Sequence, residues 1–241
     1  MNIQRGTQLK HPRPDRRISI TRTVFAITIG LSSLGLHATS YAASLPIVNA
    51  GFESPALSDT AFTSNTIPGW NGTDTSAIWN FGAYNPPTGY FPEQAPEGSN
   101  VAYIERGAIY QILSSVLNAD TDYKLNVFVG DSLVDPLPGF AVQLRAGGEI
   151  LAETTGPAPL DGSFQLITLD YHASAANPSI GQELEIWFIE SAFDKSSEAY
   201  FDNVILDAVV STVPEPETYA MLLAGLGLLG FMARRRKELA V

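Results

Sequence analysis

The chain has 241 residues, 45% of them hydrophobic, and no cysteine, which excludes disulfides, thiol catalysis and thiolate metal sites. Charge is unevenly placed: residues 43–213 hold 4 basic and 21 acidic residues, a net charge of −17. Such a surface repels nucleic acid and anionic lipid, stays soluble and attracts cations.

The N-terminus opens with a basic stretch, Arg5, Lys10, Arg13, Arg16, Arg17 and Arg22, followed by a largely apolar run from Val24 to Leu36. That run is too short for a spanning helix, which needs about 20 apolar residues. Ser40-Tyr41-Ala42 then sets small residues where a signal peptidase reads them. Residues 1–42 are therefore predicted to be a signal peptide, removed from the mature chain. Residues 43–211 form the predicted body, long enough for one hydrophobic core. Residues 212–241 form a separate C-terminal segment.

The body opens with "IVNAGFES" and, after a polar loop, "IPGWNGT". Aromatic residues gather next, from Trp70 to Phe91, with Pro86-Pro87 and Gly89 among them. Trp70 is expected in the core, and Trp79 and Phe81 alternate along a predicted strand. Tyr84, Tyr90 and Phe91 remain as candidate surface rings. The apolar C–H faces of a sugar stack on such rings, so these three are the candidate ligand-binding residues.

From residue 100 onward the hydrophobic period is two, the signature of strands. In "DYKLNVFVG" Tyr123, Leu125, Val127 and Val129 alternate with Asp122, Lys124, Asn126 and Phe128. In "GFAVQLRAGG" Phe140, Val142 and Leu144 alternate with Ala141, Gln143 and Arg145; Gly147-Gly148 then predicts a hairpin turn into "EILAETT". Further strands are predicted at "NVAYIE", "AIYQILSS", "SFQLITLDYHA", "QELEIWFIES" and "AYFDNVILDAVV", with Trp187 opposite the Leu184–Ile186–Phe188 face. Many short strands separated by turn residues predict an all-β sandwich.

In order, Asn49-x-x-Phe52-Glu53, Gly69-Trp70 and Asp202-Asn203-Val204 resemble the carbohydrate-binding-module type of galactose-binding-like jelly roll. The resemblance spans nearly all of 45–210 and implies a single jelly-roll β-sandwich. It also implies that the first and last strands are neighbours, with a structural Ca²⁺ between Glu53 and Asp202. Two carboxylates brought close repel unless a proton or a cation intervenes, and Ca²⁺ takes six to eight oxygen ligands.

His172 is the one histidine of the body, and no serine stands in a nucleophile-elbow setting beside it. No Gly-rich phosphate loop and no marked pair of carboxylates is present, so the expectation is a non-catalytic protein with no catalytic residue.

The chain closes with "VPEPETYAMLLAGLGLLGFMARRRKELAV". Pro214 and Pro216 bracket Glu215 and hold the chain extended. Tyr219–Ala233 is apolar, and Arg234, Arg235, Arg236 and Lys237 follow as a stop that stays cytoplasmic. This three-part order resembles the PEP-CTERM sorting domain. The resemblance implies a short transmembrane helix as a transient membrane anchor, cleavage by an exosortase, and delivery to the cell surface or matrix. Together the sequence predicts an exported, non-catalytic protein associated with extracellular polysaccharide in a biofilm layer; the alternatives are an enzyme acting on polysaccharide and a structural surface protein with no sugar ligand.

Overall fold

The computed structural model describes residues 42–74, 80–137, 139–190, 197–211 and 216–238. Apart from Ala42, the predicted signal peptide lies outside the described residues, as do Trp79, Pro214 and Glu215.

Eleven strands and one helix are found among the described residues. The strands are β1 (Ala42–Ser44), β2 (Asn71–Gly72), β3 (Phe81–Tyr84), β4 (Val101–Ile104), β5 (Ala108–Val116), β6 (Thr121–Asp131), β7 (Phe140–Ala146), β8 (Glu149–Gly156), β9 (Ser163–Ala173), β10 (Glu183–Glu190) and β11 (Ala199–Val210). One sheet has six strands in the order β3-β4-β11-β6-β9, with β1 also paired to β11; the other has five, in the order β2-β5-β10-β7-β8. All pairings are antiparallel.

The alternation read in the sequence places side chains as it must. Along β6, Tyr123, Leu125, Val127 and Val129 are fully buried, while Asp122 and Lys124 are exposed. Gly147 and Gly148 both carry positive φ, 58° and 86°, and join β7 to β8 in a two-residue hairpin. Between the sheets four rings pack in series. Phe52 lies 5.2 Å from Trp70, Trp70 stacks 5.4 Å from Phe188 of β10, and Phe188 stacks 4.7 Å from Phe201 of β11. The Trp70 indole N–H donates to the Asn49 carbonyl at 3.2 Å. The opening motif, the Gly-Trp and the closing strand thus meet in one core.

A second, smaller cluster covers the outer face of the six-stranded sheet. Phe91, Val101, Tyr103 and Tyr200 form it, with Tyr84, Tyr90, Ala95 and Phe164 packed against them. This cluster explains why β4 is buried at every residue: Ala102 and Ile104 face the main core, Val101 and Tyr103 the outer cluster.

The tail forms α1 (Pro216–Glu238), with proline at its first position, where the missing N–H costs nothing. The side chains described in it, from Tyr219 to Arg235, are all exposed. No helix among the described residues is long and apolar enough to cross a membrane, which corrects the expected transmembrane helix. The apolar stretch Tyr219–Ala233 reaches ~22 Å at ~1.5 Å per residue, against a hydrocarbon core of ~30 Å. Arg234 and Arg235 are exposed at its end; of Arg236 and Lys237 only the backbone is described.

Candidate functional site

Two neighbouring sites involve β11. The first lies within that strand. Glu53 follows Phe52, whose φ of 58° turns the chain sharply. One Glu53 carboxylate oxygen accepts the amide hydrogens of Ser99, at 2.8 Å, and Asn100, at 2.7 Å. Asp202 accepts those of Glu97 and Asn203, both at 2.7 Å. The two predicted acids therefore hold one loop, Glu97 to Asn100, from both sides. Gly98 has φ 61°, and a Cβ there would fall 2.3 Å from the Glu53 carboxyl carbon, so the close approach requires glycine.

Asp202 is completely buried, and its carboxyl is pushed up to about 8, chiefly by burial; the two amide bonds oppose the shift and the charges of Glu97 and Glu53 add to it. Asn100 is also buried. Its amide nitrogen donates to the carbonyls of Phe52 and Pro55, while its Oδ1 has no hydrogen-bond partner. Three mutually repelling carboxylates and an orphaned carbonyl oxygen are hard donors of the type a calcium ion takes. Among the described residues, no three acidic or histidine side chains converge closely enough to hold an ion by themselves. An ion here would need backbone carbonyls as well.

The second site lies on the outer face of the six-stranded sheet, at the end where β11 begins. A pocket of about 420 Å³ is lined by Thr60, Phe62, Tyr84, Tyr90, Tyr103, Glu105, Asp135 and Glu198. Tyr84 ends β3, Tyr103 lies on β4, Asp135 sits in the β6–β7 connection, and Glu198 immediately precedes β11. Tyr84 and Tyr90 meet edge to face at 5.5 Å, and Phe62 and Tyr103 at 6.4 Å. The Tyr103 hydroxyl donates to the Thr63 carbonyl at 2.8 Å. Ser132 fixes the Asp135 turn, its hydroxyl oxygen accepting the Asp135 amide at 2.8 Å.

Glu198 is one of three acids that line this pocket, with Glu105 and Asp135. Its carboxyl is pushed up to about 7, first by burial, with the charges of Asp135 and Glu105 adding; a hydrogen bond from the Tyr200 hydroxyl opposes the shift. Burial also raises Asp135, Tyr84, Tyr90, Tyr103 and Tyr200, so the phenols stay protonated. A carboxyl balanced between its two forms near neutral pH, in an aromatic cup, can give and take a proton.

Of the three candidate ligand-binding rings, Tyr84 and Tyr90 line this pocket. Phe91, expected at the surface, is 2% exposed. It stacks on Phe164 at 4.3 Å and meets the edge of Tyr200 at 5.1 Å, because the outer sheet face needed an apolar cover. Trp187 is half-buried between Tyr110, at 4.3 Å, and the Arg145 guanidinium, at 4.0 Å. His172 pairs with Asp122 at 2.7 Å, at the other end of β6 from the pocket. Glu198 was not singled out in the sequence. It stands in the polar run "DKSSE", and only its place two residues before "YFDNV" marks it.

Residues 43–207 match the HpiC1 cyclase family. The chain belongs to that family. Its C-terminus, residues 212–237, carries the PEP-CTERM protein-sorting motif. A Stig cyclase from Fischerella sp. TAU, solved in complex with (3Z)-3-(1-methyl-2-pyrrolidinylidene)-3H-indole, is 34% identical; the match covers 71% of this chain and 100% of that one, with a TM-score of 0.64. A cyclase from the same organism in complex with 4-(1H-indol-3-yl)butan-2-one is 33% identical over 71% of this chain and 100% of its own, with a TM-score of 0.64. Comparison with curated proteins gives no match. The expected likeness to carbohydrate-binding modules is distant: one solved with beta-1,4-galactotriose is 12% identical over 66% of this chain and 94% of its own, with a TM-score of 0.40.

The raised Glu198 carboxyl has a signed consequence for stability. Between its ordinary value of 4.5 and about 7 the folded chain holds a proton that the unfolded chain has released. Stability must then fall as pH rises through that window. Denaturant titrations at several pH values should show wild type losing stability relative to Glu198→Gln between pH about 4.5 and 7, then running parallel above. Parallel curves throughout would mean that Glu198 titrates normally.

Proposed function

We propose that this protein is an exported member of the cyclase family that binds a small aromatic compound and rearranges it by proton transfer through Glu198. Glu198 is the observation that carries the reading: a half-buried, near-neutral acid facing a pocket walled by Tyr84, Tyr90, Tyr103 and Phe62. The protonated carboxyl gives its proton to an unsaturated carbon or heteroatom of the substrate. A new bond forms within the cation so made, and the carboxylate takes a proton back from it. The product is an isomer of the substrate, and no oxidant or reductant is consumed.

The indole ligands of the two Fischerella cyclases suggest the first compound to try. The processed protein should bind 4-(1H-indol-3-yl)butan-2-one saturably and accelerate incorporation of solvent deuterium into it, followed by NMR in D₂O. Glu198→Gln should retain binding and lose about 10²- to 10⁴-fold of the exchange rate. The non-catalytic association with exopolysaccharide remains the second reading, favoured by the half-exposed rings of Tyr84 and Tyr90. Saturable co-sedimentation with a polysaccharide, with no indole binding, would replace the first reading by the second.

The rest of the chain fits a route out of the cell. In this reading residues 1–42 are cut by signal peptidase, the two sheets form one jelly roll, and exosortase removes the tail. Changing Pro214, Glu215 and Pro216 together to alanine should leave an uncleaved, cell-associated form on immunoblots; unchanged processing would count against the triplet as the sorting determinant.

A structural Ca²⁺ belongs to the same proposal. Asp202, Glu53 and the Asn100 carbonyl oxygen would hold it with nearby backbone carbonyls, and it would offset the repulsion between the two carboxylates. Binding to the folded state alone raises stability with ligand concentration. Thermal melts of the processed protein should shift upward with millimolar Ca²⁺ and fall with chelator. Identical melts would show that the loop amides alone satisfy these acids.

A further inference from the structure

The pocket carries two features that its assignment as an acid–base site leaves unused. The first is its charge. Asp135 and Glu198 reach it from separate elements, and among the described residues neither has a basic partner. Among the described residues, none that lines the pocket is basic. The second is the way its rings are committed. The Tyr84 hydroxyl is hydrogen-bonded to Tyr90, and the Tyr103 hydroxyl is taken by the Thr63 carbonyl. Two of the three tyrosine hydroxyls thus have their protons engaged, which leaves the rings as the main surface they offer a ligand. Each ring pair stands near a right angle, 79° for Tyr84 and Tyr90 and 83° for Phe62 and Tyr103. In such pairs the positive edge of one ring meets the electron-rich face of the other, and the edge-on ring keeps both of its own faces clear of that partner.

A neutral sugar would find acceptors for its hydroxyls in the acids, but would leave the Asp135 charge uncompensated. An anion would be repelled. A cation with an apolar body satisfies both features, since ring faces and a carboxylate attract positive charge together in a partly dehydrated site.

We propose that the ligand of this pocket is an organic cation, a small aromatic amine protonated at neutral pH, with its body against Tyr84, Tyr90 and Phe62 and its ammonium group on the Asp135 carboxylate. This rests on the pocket being the binding site and adds the charge class of what it binds. Glu198, the deeper of the two acids, is left free to move its proton.

The test uses two indoles of similar shape, tryptamine, which is cationic at pH 7, and tryptophol, which is neutral. Titrating the processed protein with each by calorimetry should give tryptamine a dissociation constant about tenfold or more below that of tryptophol. Asp135→Asn should remove most of that ratio while leaving tryptophol binding in place, which also reports that the variant is folded. Added salt should weaken tryptamine selectively. Equal affinities, or tryptophol the tighter, would overturn the inference while leaving the pocket as a binding site. Failure of both to bind, with Tyr84→Ala indistinguishable from wild type, would remove the pocket reading along with it.

Discussion

The register shift in β11 between Asp202 and Ile205 governs how this molecule is put together. Along the first part of the strand Tyr200 faces the outer cluster and Phe201 the main core. Asn203, with φ 52°, is the extra residue, and beyond it Val204, Leu206 and Ala208 face the core. One inserted residue exchanges the parity of the strand. The same shift opens the edge of β11 between its pairing with β4 and its pairing with β1. There the N-terminal segment enters, the Val204 amide donating to the Ala50 carbonyl at 3.0 Å and the Leu45 amide to the Leu206 carbonyl at 2.8 Å. That entry brings Asn49, Phe52 and Glu53 against Trp70 and Asp202. Without it the ring series across the core would have no first member.

The buried Asp202 and the half-buried Glu198 lie four residues apart and are treated differently. Asp202 accepts two backbone amides and ties down the Glu97–Asn100 loop, so its carboxylate is committed to structure. Glu198 receives one tyrosine hydroxyl and otherwise faces a pocket. Both are raised by burial, yet only one is free to exchange a proton with something that enters. Phe91 contributes at one remove: it packs against Tyr200, whose hydroxyl is the partner of Glu198.

Much of the fold was legible because seven of the strands, β5 to β11, are long enough to show period two or to end in recognisable turns. The strands missed or left vague, β1, β2 and β3, have three, two and four residues, too few for a period. The parity change in β11 is hidden in "YFDNVILDAV", where apolar residues stand on both sides of Asn203. Tyr84 and Tyr90 were found as a cluster of rings, but Phe91 was misplaced, because nothing in a loop sequence says that a second face of the sheet needs covering. Glu198 carries no local signal; its environment comes from Asp135, Tyr103 and Tyr84, distant in the chain. The landmarks Asn49, Phe52, Trp70 and Phe201 specify how a sandwich closes around its aromatic core. A binding module and a cyclase can share that skeleton, and the difference lies in residues added above it.

The placement of sorting signal and pocket follows from the same strand. Glu198 stands before its first residue and the tail follows its last. Twelve residues of strand put roughly 36 Å between the two ends. At the tail end Ser211 is held by its amide to the Asp120 carbonyl, at 2.7 Å, and by its hydroxyl to Asp122, at 2.6 Å, the carboxylate that also pairs with His172. β1 begins beside it, Ala42 opposite Val209. Both ends of the body therefore leave from one side, and the pocket opens at the other. Cutting the tail beyond Ser211 removes no residue that lines the pocket and none that holds Glu198, Asp135 or the tyrosines. The sorting motif and the pocket thus flank β11 at opposite ends and share no described residue.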